Sequence, residues 1–235
     1  MKILNVKNLK KNYNNTSVLK GINLEIHKGE FLGIMRFSGS GKTILLNILS
    51  GIDKLTSGKI DIWGRNINKM SKKDMTLFRR NYLGFVFQEF NLLDSLTLKE
   101  NIMLPLSLEC EDSCEMEERT NDIMDNFDIL KIKDKYPYLV SGGQQQRTAI
   151  GRAIINNPDI IFADEPTGNL DSKASNTIMK YFERLNTLNK NTIIVVTHDP
   201  FTASYCNRIV FIEDGIISSE ITKKTKVKNP FLIKY

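Results

Sequence analysis

An α/β core interrupted by a helical insertion is the fold the sequence predicts, and three observations predict it. Short strand-like runs separated by turns fill the first third. From about Thr97 to Asn157 the patterning is helical and the strand-like runs stop. Strand-helix alternation resumes at Asp159.

Taken in order, Ile22-Asn23-Leu24-Glu25-Ile26 alternates apolar and polar residues, as a half-buried strand does. Glu30 to Met35 reads as a more buried strand. Lys59 to Trp63 alternates again and runs into a turn at Gly64, and Leu83 to Phe87 is a further apolar strand. In the insertion, Glu109 to Glu118 is acidic and expected to face solvent. Pro137 and Gly142-Gly143 punctuate it. Asp159 to Ala163 is a short apolar run ending in acids, and Ser172 to Leu188 reads as a helix. Thr192 to Thr197 is the β-branched run of a buried parallel strand. Asn207 to Ile212 and Gly215 to Ser219 form a closing hairpin. There is no internal repeat and no low-complexity segment.

At 235 residues, 41% apolar and 26% charged, the chain has the composition of a globular protein. No stretch approaches the ~18 consecutive apolar residues of a membrane helix. The start Met1-Lys2-Ile3-Leu4-Asn5-Val6 turns polar too soon for a signal peptide. A role in moving material across a membrane therefore requires a pore from another polypeptide. The net charge of +6 suggests nucleic acid until it is located. Residues 221–235 hold five Lys and no acid, leaving 28 basic against 27 acidic residues elsewhere. We expect a near-neutral body with a basic tail and no nucleic-acid partner. Cys110, Cys114 and Cys206 are too few and too scattered for a disulfide framework; Cys110 and Cys114 could share a helical turn, but nothing nearby completes a zinc site.

Ser38-Gly39-Ser40-Gly41-Lys42-Thr43 follows a strand and opens an apolar helix, Ile44 to Leu49, which is the setting of a Walker A phosphate loop. Small residues let successive backbone N–H groups converge on phosphate oxygens, and the helix N-terminus favours an anion. Lys42 is placed to reach the β- and γ-phosphates and Thr43 to offer its hydroxyl to Mg²⁺. The first glycine of the pattern is replaced by Arg36, followed by the bulky Phe37. A side chain in a glycine-only conformation costs about 1–3 kcal/mol, so strain is expected at Arg36.

Ile160-Ile161-Phe162-Ala163-Asp164-Glu165 has the form of a Walker B strand. Ligands of open parallel sheets gather at the carboxyl ends of the strands. Side chains alternate along a strand, so Asp164 and Glu165 should point differently: Asp164 toward Mg²⁺, Glu165 toward an attacking water as general base.

Further motifs carry a family resemblance. Val140-Ser141-Gly142-Gly143-Gln144-Gln145-Gln146-Arg147 resembles the ABC signature, with Val for the usual Leu, about twenty residues before the Walker B acids. Gln88 in Phe85-Val86-Phe87-Gln88 matches the Q-loop, Gly168-Asn169-Leu170-Asp171 the D-loop, and His198 in Val196-Thr197-His198-Asp199 the switch histidine. Tyr13 stands where the family has its adenine-stacking aromatic. Six motifs in order, up to about residue 220, make the chain similar to ATP-binding-cassette (ABC) ATPases. The resemblance implies a P-loop NTPase cassette, residues 1–220, with an N-terminal antiparallel β subdomain and a helical signature subdomain at about 97–157, then a basic tail at 221–235.

It also implies ATP and Mg²⁺ as cofactors. Ser38 to Thr43 would hold the phosphates, and Ser141, Gly142, Gly143 and Gln144 would meet the nucleotide of a second copy packed head to tail. Thr43, Gln88 and Asp164 would serve the metal; Glu165, His198, Lys42 and Gln88 would serve hydrolysis. About 100 residues separate Walker A from the signature, too few for the coiled coils of chromosome-maintenance ATPases. One cassette rather than two argues against the translation factors.

Gln88 to Thr97, Lys99-Glu100-Asn101-Ile102 and His198 to Arg208 resemble the bacitracin-export branch of the macrolide-export and lipoprotein-release class. That branch implies an FtsX-like permease partner, a peptide antibiotic or its lipid complex as cargo, and a place on the cytoplasmic face of a bacterial membrane. Alternatives are a regulatory cassette with weak hydrolysis and a cell-division or lipoprotein-release ATPase. The permease would dock around Gln88, so Phe90, Leu92 and Leu93 are expected to be partly exposed.

Overall fold

The computed structural model describes residues 1–14, 16–36, 42–108 and 112–223. Strands β1 (Lys2–Tyr13) and β2 (Thr16–His27) form a long antiparallel pair, followed by β3 (Phe31–Arg36) and helix α1 (Lys42–Leu49). Next come β4 (Ser57–Ile62), β5 (Arg65–Asn66), α2 (Lys72–Tyr82) and β6 (Leu83–Val86). Three helices form the insertion: α3 (Leu98–Ser107), α4 (Ser113–Asn126) and α5 (Gly142–Ile154). The chain continues through β7 (Ile160–Asp164), α6 (Ser172–Thr187), β8 (Thr192–Thr197), α7 (Pro200–Ala203), β9 (Arg208–Glu213) and β10 (Ile216–Thr222).

Two sheets result. One is antiparallel, in the order β2-β1-β4-β5; the other runs β10-β9-β3-β8-β7-β6 and is parallel except for the β10–β9 hairpin. That hairpin turns at Asp214-Gly215, both at positive φ (49° and 82°), as an Asp-Gly hairpin turn requires. The strand period of two divides the core. Ile160 and Phe162 of β7, with Ile194 and Val196 of β8, face α1 and the antiparallel sheet. Ile161 and Ala163, with Ile193 and Val195, face α6 and the inserted helices. Both strands are buried throughout, so they read as continuous apolar runs.

The insertion packs where α5 carries Gly151: a Cβ there would come within 3.0 Å of both Ile102 of α3 and Ile123 of α4. The acidic face of α4 is exposed at Glu115, Glu117 and Glu118. Helix α4 begins at Ser113, capped by Asp112, which puts Cys114 in its first turn; Cys110 lies outside the described residues. Cys206 is buried, and burial pushes its thiol up to about 12, which makes it an inert core residue. Among the described residues no helix is long and apolar enough to cross a membrane.

Candidate functional site

The expected strain at Arg36 does not arise at that residue. Arg36 closes β3 as an extended residue paired with Ile212, a backbone that any L-residue adopts. Ser38, Gly39, Ser40 and Gly41 lie outside the described residues, and α1 begins at Lys42, with Thr43 exposed in its first turn.

The carboxyl ends of β3, β7 and β8 lie side by side, since β8 pairs with both of the others. Asp164 ends β7 and is buried at 6% exposure, and Glu165 follows at 5%. The backbone departs from the plain strand alternation expected at this pair. Strand alternation stops at Asp164, and Glu165 turns into the left-handed region at φ 44°. Such a conformation costs a non-glycine residue about 1–3 kcal/mol and persists only where its surroundings hold it. They do: Glu165 N–H donates to Val196 O at 2.9 Å, and Gly168 N–H to Glu165 O at 3.0 Å.

The Glu165 carboxylate is gripped at both oxygens. His198 Nδ1 lies 2.7 Å from Oε1, and Thr197 Oγ1 donates to Oε2 at 3.2 Å. His198 itself is 65% exposed, so the buried acid meets solvent beside an accessible imidazole. Thr197 Oγ1 also accepts from Asp199 N–H at 3.0 Å. Asp199 caps α7, accepting from the N–H groups of Phe201 and Thr202 and from Thr202 Oγ1 at 2.8 Å. Burial opposes ionisation of Asp199, but the Thr202 hydroxyl and the two backbone donors outweigh it and hold its carboxyl below the usual range. Thr202 Oγ1 lies 2.9 Å from buried Thr167 Oγ1, two residues beyond Glu165. The ring of contacts closes on the segment where it started. Sequence reasoning quoted Thr197 and Asp199 only as neighbours of His198 and passed over Thr167 and Thr202. The hydroxyls at 167, 197 and 202 are its only trace in sequence.

Gln88 follows β6 and is exposed. Its carbonyl accepts from Asn169 Nδ2 at 3.0 Å, and a Cβ on Gly168 would meet its side-chain nitrogen at 3.5 Å. The corner after it, Phe90-Asn91, has two successive left-handed residues (φ 60° and 48°) whose carbonyls accept from Arg152 of α5 at 2.9 and 2.6 Å. Phe90 and Leu92 are half-buried and Leu93 is 46% exposed, matching the expectation of partial exposure. Beside them a groove is floored by Phe85, Phe87, Leu104 and Leu108, with Arg80 and Arg152 at its sides.

Ser141 caps α5 in a capping box: its hydroxyl accepts from Gln144 N–H, and Gln144 Oε1 accepts from Ser141 N–H at 2.9 Å. Gly142 and Gly143 form the first turn. With Ser141 they open into a cleft shared with Asn169, Asp171 and Ala174. Glu165 and His198 open into a different cleft with Gly168, Ser172 and Ser175, and Leu170 lines both. Within one chain, the signature residues and the Glu165–His198 pair therefore line separate clefts. Tyr13 ends β1, 43% exposed, with its hydroxyl on Asp53 Oδ2 at 2.6 Å.

Residues 19–168 match the family model described as "ABC transporter". The chain is 48% identical over 235 residues to a bacitracin export ATP-binding protein, BceA, of Halalkalibacterium halodurans, covering 98% of this chain and 93% of that one. It is 42% identical over 226 residues to a macrolide export ATP-binding/permease protein, MacB, of Syntrophobacter fumaroxidans, covering 94% of this chain but 32% of that longer protein. Among solved structures, the dimeric ATP-binding cassette MJ0796 in a post-hydrolysis state with ADP and Pi superposes with a TM-score of 0.87 at 39% identity, covering 94% of this chain and 98% of that one.

Proposed function

This chain belongs to the ABC transporter family and is an ATP-binding ATPase that works with a membrane permease; we propose that it powers export of, or resistance to, antimicrobial peptides of the bacitracin kind. The peptide assignment is supported by the 48% identity to a bacitracin export ATP-binding protein along nearly the whole chain. The permease, FtsX-like and carried on a separate chain, seats a short segment in the groove floored by Phe85, Phe87, Leu104 and Leu108. A place on the cytoplasmic face of a bacterial membrane follows from that docking.

The observation that carries the chemistry is the Glu165–His198 contact at 2.7 Å at the carboxyl end of the central strands. Glu165 takes a proton from the attacking water as general base, and His198 holds that carboxylate and reaches toward the γ-phosphate. Lys42 and the loop Ser38 to Gly41 neutralise the phosphates, and Tyr13 stacks on the base. Asp164 and the Thr43 hydroxyl, with Gln88, form an oxygen donor set of the kind Mg²⁺ prefers. When bound, Mg²⁺ supplies charge neutralisation at the phosphate oxygens. Ser141, Gly142, Gly143 and Gln144 meet the nucleotide of a second copy. The separate clefts of the signature and of Glu165–His198 favour a site completed head to tail, as does the dimeric state of the MJ0796 cassette. The alternative, a regulatory module with weak hydrolysis, rests on the departure from the glycine pattern at Arg36 and Phe37, and the extended backbone of Arg36 in β3 gives it no support from strain at that residue.

Two measurements test the proposal. Mg-ATP turnover by the chain should disappear in Glu165→Gln while nucleotide binding persists. Affinity purification from membranes should recover a permease with many spans and a large outer domain. Recovery of a small four-helix permease would instead indicate a division or lipoprotein-release role, and turnover unaffected by Glu165→Gln would remove the base.

A further inference from the structure

A buried cation sits behind the tyrosine at the end of β1. Lys11 is only 7% exposed, unusual for a lysine whose strand neighbours Lys10 and Asn12 are exposed. Its ammonium contacts both oxygens of Asp53, at 2.9 and 2.8 Å, and donates to Lys54 O at 2.6 Å. It also lies 4.5 Å from the centroid of the Tyr13 ring, over its face. Asp53 Oδ2 accepts the Tyr13 hydroxyl at 2.6 Å. The ring is thus held at its tip by a carboxylate and covered on one face by the cation that pairs with that carboxylate.

The cluster links the end of β1 to the segment that follows α1. Asp53 follows α1, and its N–H donates to Asn47 O of that helix at 3.0 Å. Asn12 N–H donates to Thr56 Oγ1 at 2.9 Å, and Thr56 N–H to Lys10 O at 2.8 Å, which fastens the end of β1 to the same segment. The Tyr13 ring is therefore indexed to the helix that begins at Lys42. Burial opposes ionisation of Asp53, but the Lys11 and Tyr13 hydrogen bonds hold its carboxyl below the usual range. The bond to Asp53 in turn raises the Tyr13 phenol, so the hydroxyl stays a donor.

We propose that Lys11 and Asp53 are positioning residues for nucleotide-base recognition: they hold the Tyr13 ring, its rear face occupied by the ammonium, so that its exposed face is presented to the purine at a set distance from the phosphate loop. This rests on the reading of Tyr13 as the base-stacking residue. A platform held this way loses no freedom of its own when the base binds, so the stacking energy goes into affinity.

The test compares Mg-ATP with inorganic triphosphate, which carries the phosphates and no base, by calorimetry on the full chain. Lys11→Met keeps the length of the stem and removes the charge. It should raise the Kd for Mg-ATP about threefold to tenfold and leave the Kd for triphosphate unchanged, which also reports an intact fold. Tyr13→Ala should weaken Mg-ATP at least as much, again sparing triphosphate. The double variant should be no worse than Tyr13→Ala alone. Lys11→Arg, which retains a cation, should bind Mg-ATP more tightly than Lys11→Met. If Tyr13→Ala leaves Mg-ATP binding unchanged, the stacking role itself fails and the inference falls with it. If Tyr13→Ala weakens Mg-ATP but Lys11→Met does not, or weakens both ligands equally, the stacking role stands and the positioning role is overturned.

Discussion

The carboxyl end of β7 and the start of α5 are both expected to act on ATP, yet they are built in opposite ways. Glu165 is buried, backbone-strained, and held at both carboxylate oxygens within a ring of contacts running through Thr197, Asp199, Thr202 and Thr167. Ser141 is exposed, and its hydrogen bonds described above are local ones that cap its own helix. The first region is organised in advance around one carboxylate, as the proposed general base requires. The second is a helix N-terminus with an exposed cap, as a surface completed by a second copy would be. Pre-organisation belongs where charge develops, and a docking edge needs only to be presented.

Substitutions in each region should break this contrast to different degrees. The largest effect is expected from Glu165→Gln, which keeps shape and removes the proton acceptor. Phosphate release should fall about 10²- to 10⁴-fold with Mg-ATP affinity retained. Gly142→Asp places a carboxylate at the signature, where the added Cβ would meet nothing closer than 3.5 Å and the fold should persist. Hydrolysis should drop by about tenfold or more through like-charge repulsion at the closed interface, while ATP binding to the single chain, measured by titration, stays unchanged. Thr197→Val removes one donor to the base. Since a hydrogen bond to a charged group contributes about 1.5–3 kcal/mol, turnover should fall roughly tenfold or more. Thr197→Ser, which keeps the hydroxyl, should restore turnover. The smallest effect is expected from Ser141→Ala. Loss of the cap should lower unfolding free energy by about 1 kcal/mol in a denaturant melt.

Much of the fold is visible in sequence because its central strands are buried on both faces. Ile160 to Asp164 and Thr192 to Thr197 carry no polar alternation to confuse, and Asp214-Gly215 marks its own turn. The elements that were not legible include β1 and α2. In β1, register shifts between Val6 and Leu9 and between Leu9 and Lys10 break the alternation, so Lys2 to Tyr13 does not read as one strand. Helix α2 buries only Met75 and Phe78, too few apolar anchors to stand out against its charges.

At the site, the motif residues were legible because phosphate chemistry demands their spacing. Their supports were not. Thr167 meets Thr202, and Lys11 meets Asp53, only after β strands and loops far apart in sequence are folded together. Arg36 shows the opposite case: the glycine pattern places it in the loop, while its backbone pairs with Ile212 as the last residue of β3.

If one ATP is hydrolysed by the Glu165 of one copy and the signature of another, chains damaged at one or the other should complement each other. Glu165→Gln and Gly142→Asp chains, each nearly inactive alone, can be mixed in equal amounts and assayed for ATP turnover. A head-to-tail pair containing one of each has one undamaged site, with Glu165 from the second chain and Gly142 from the first. The mixture should therefore recover activity several-fold above the mean of the two separate preparations, approaching about a quarter of the unmodified protein if sites act singly. A mixture no more active than that mean would contradict the shared site.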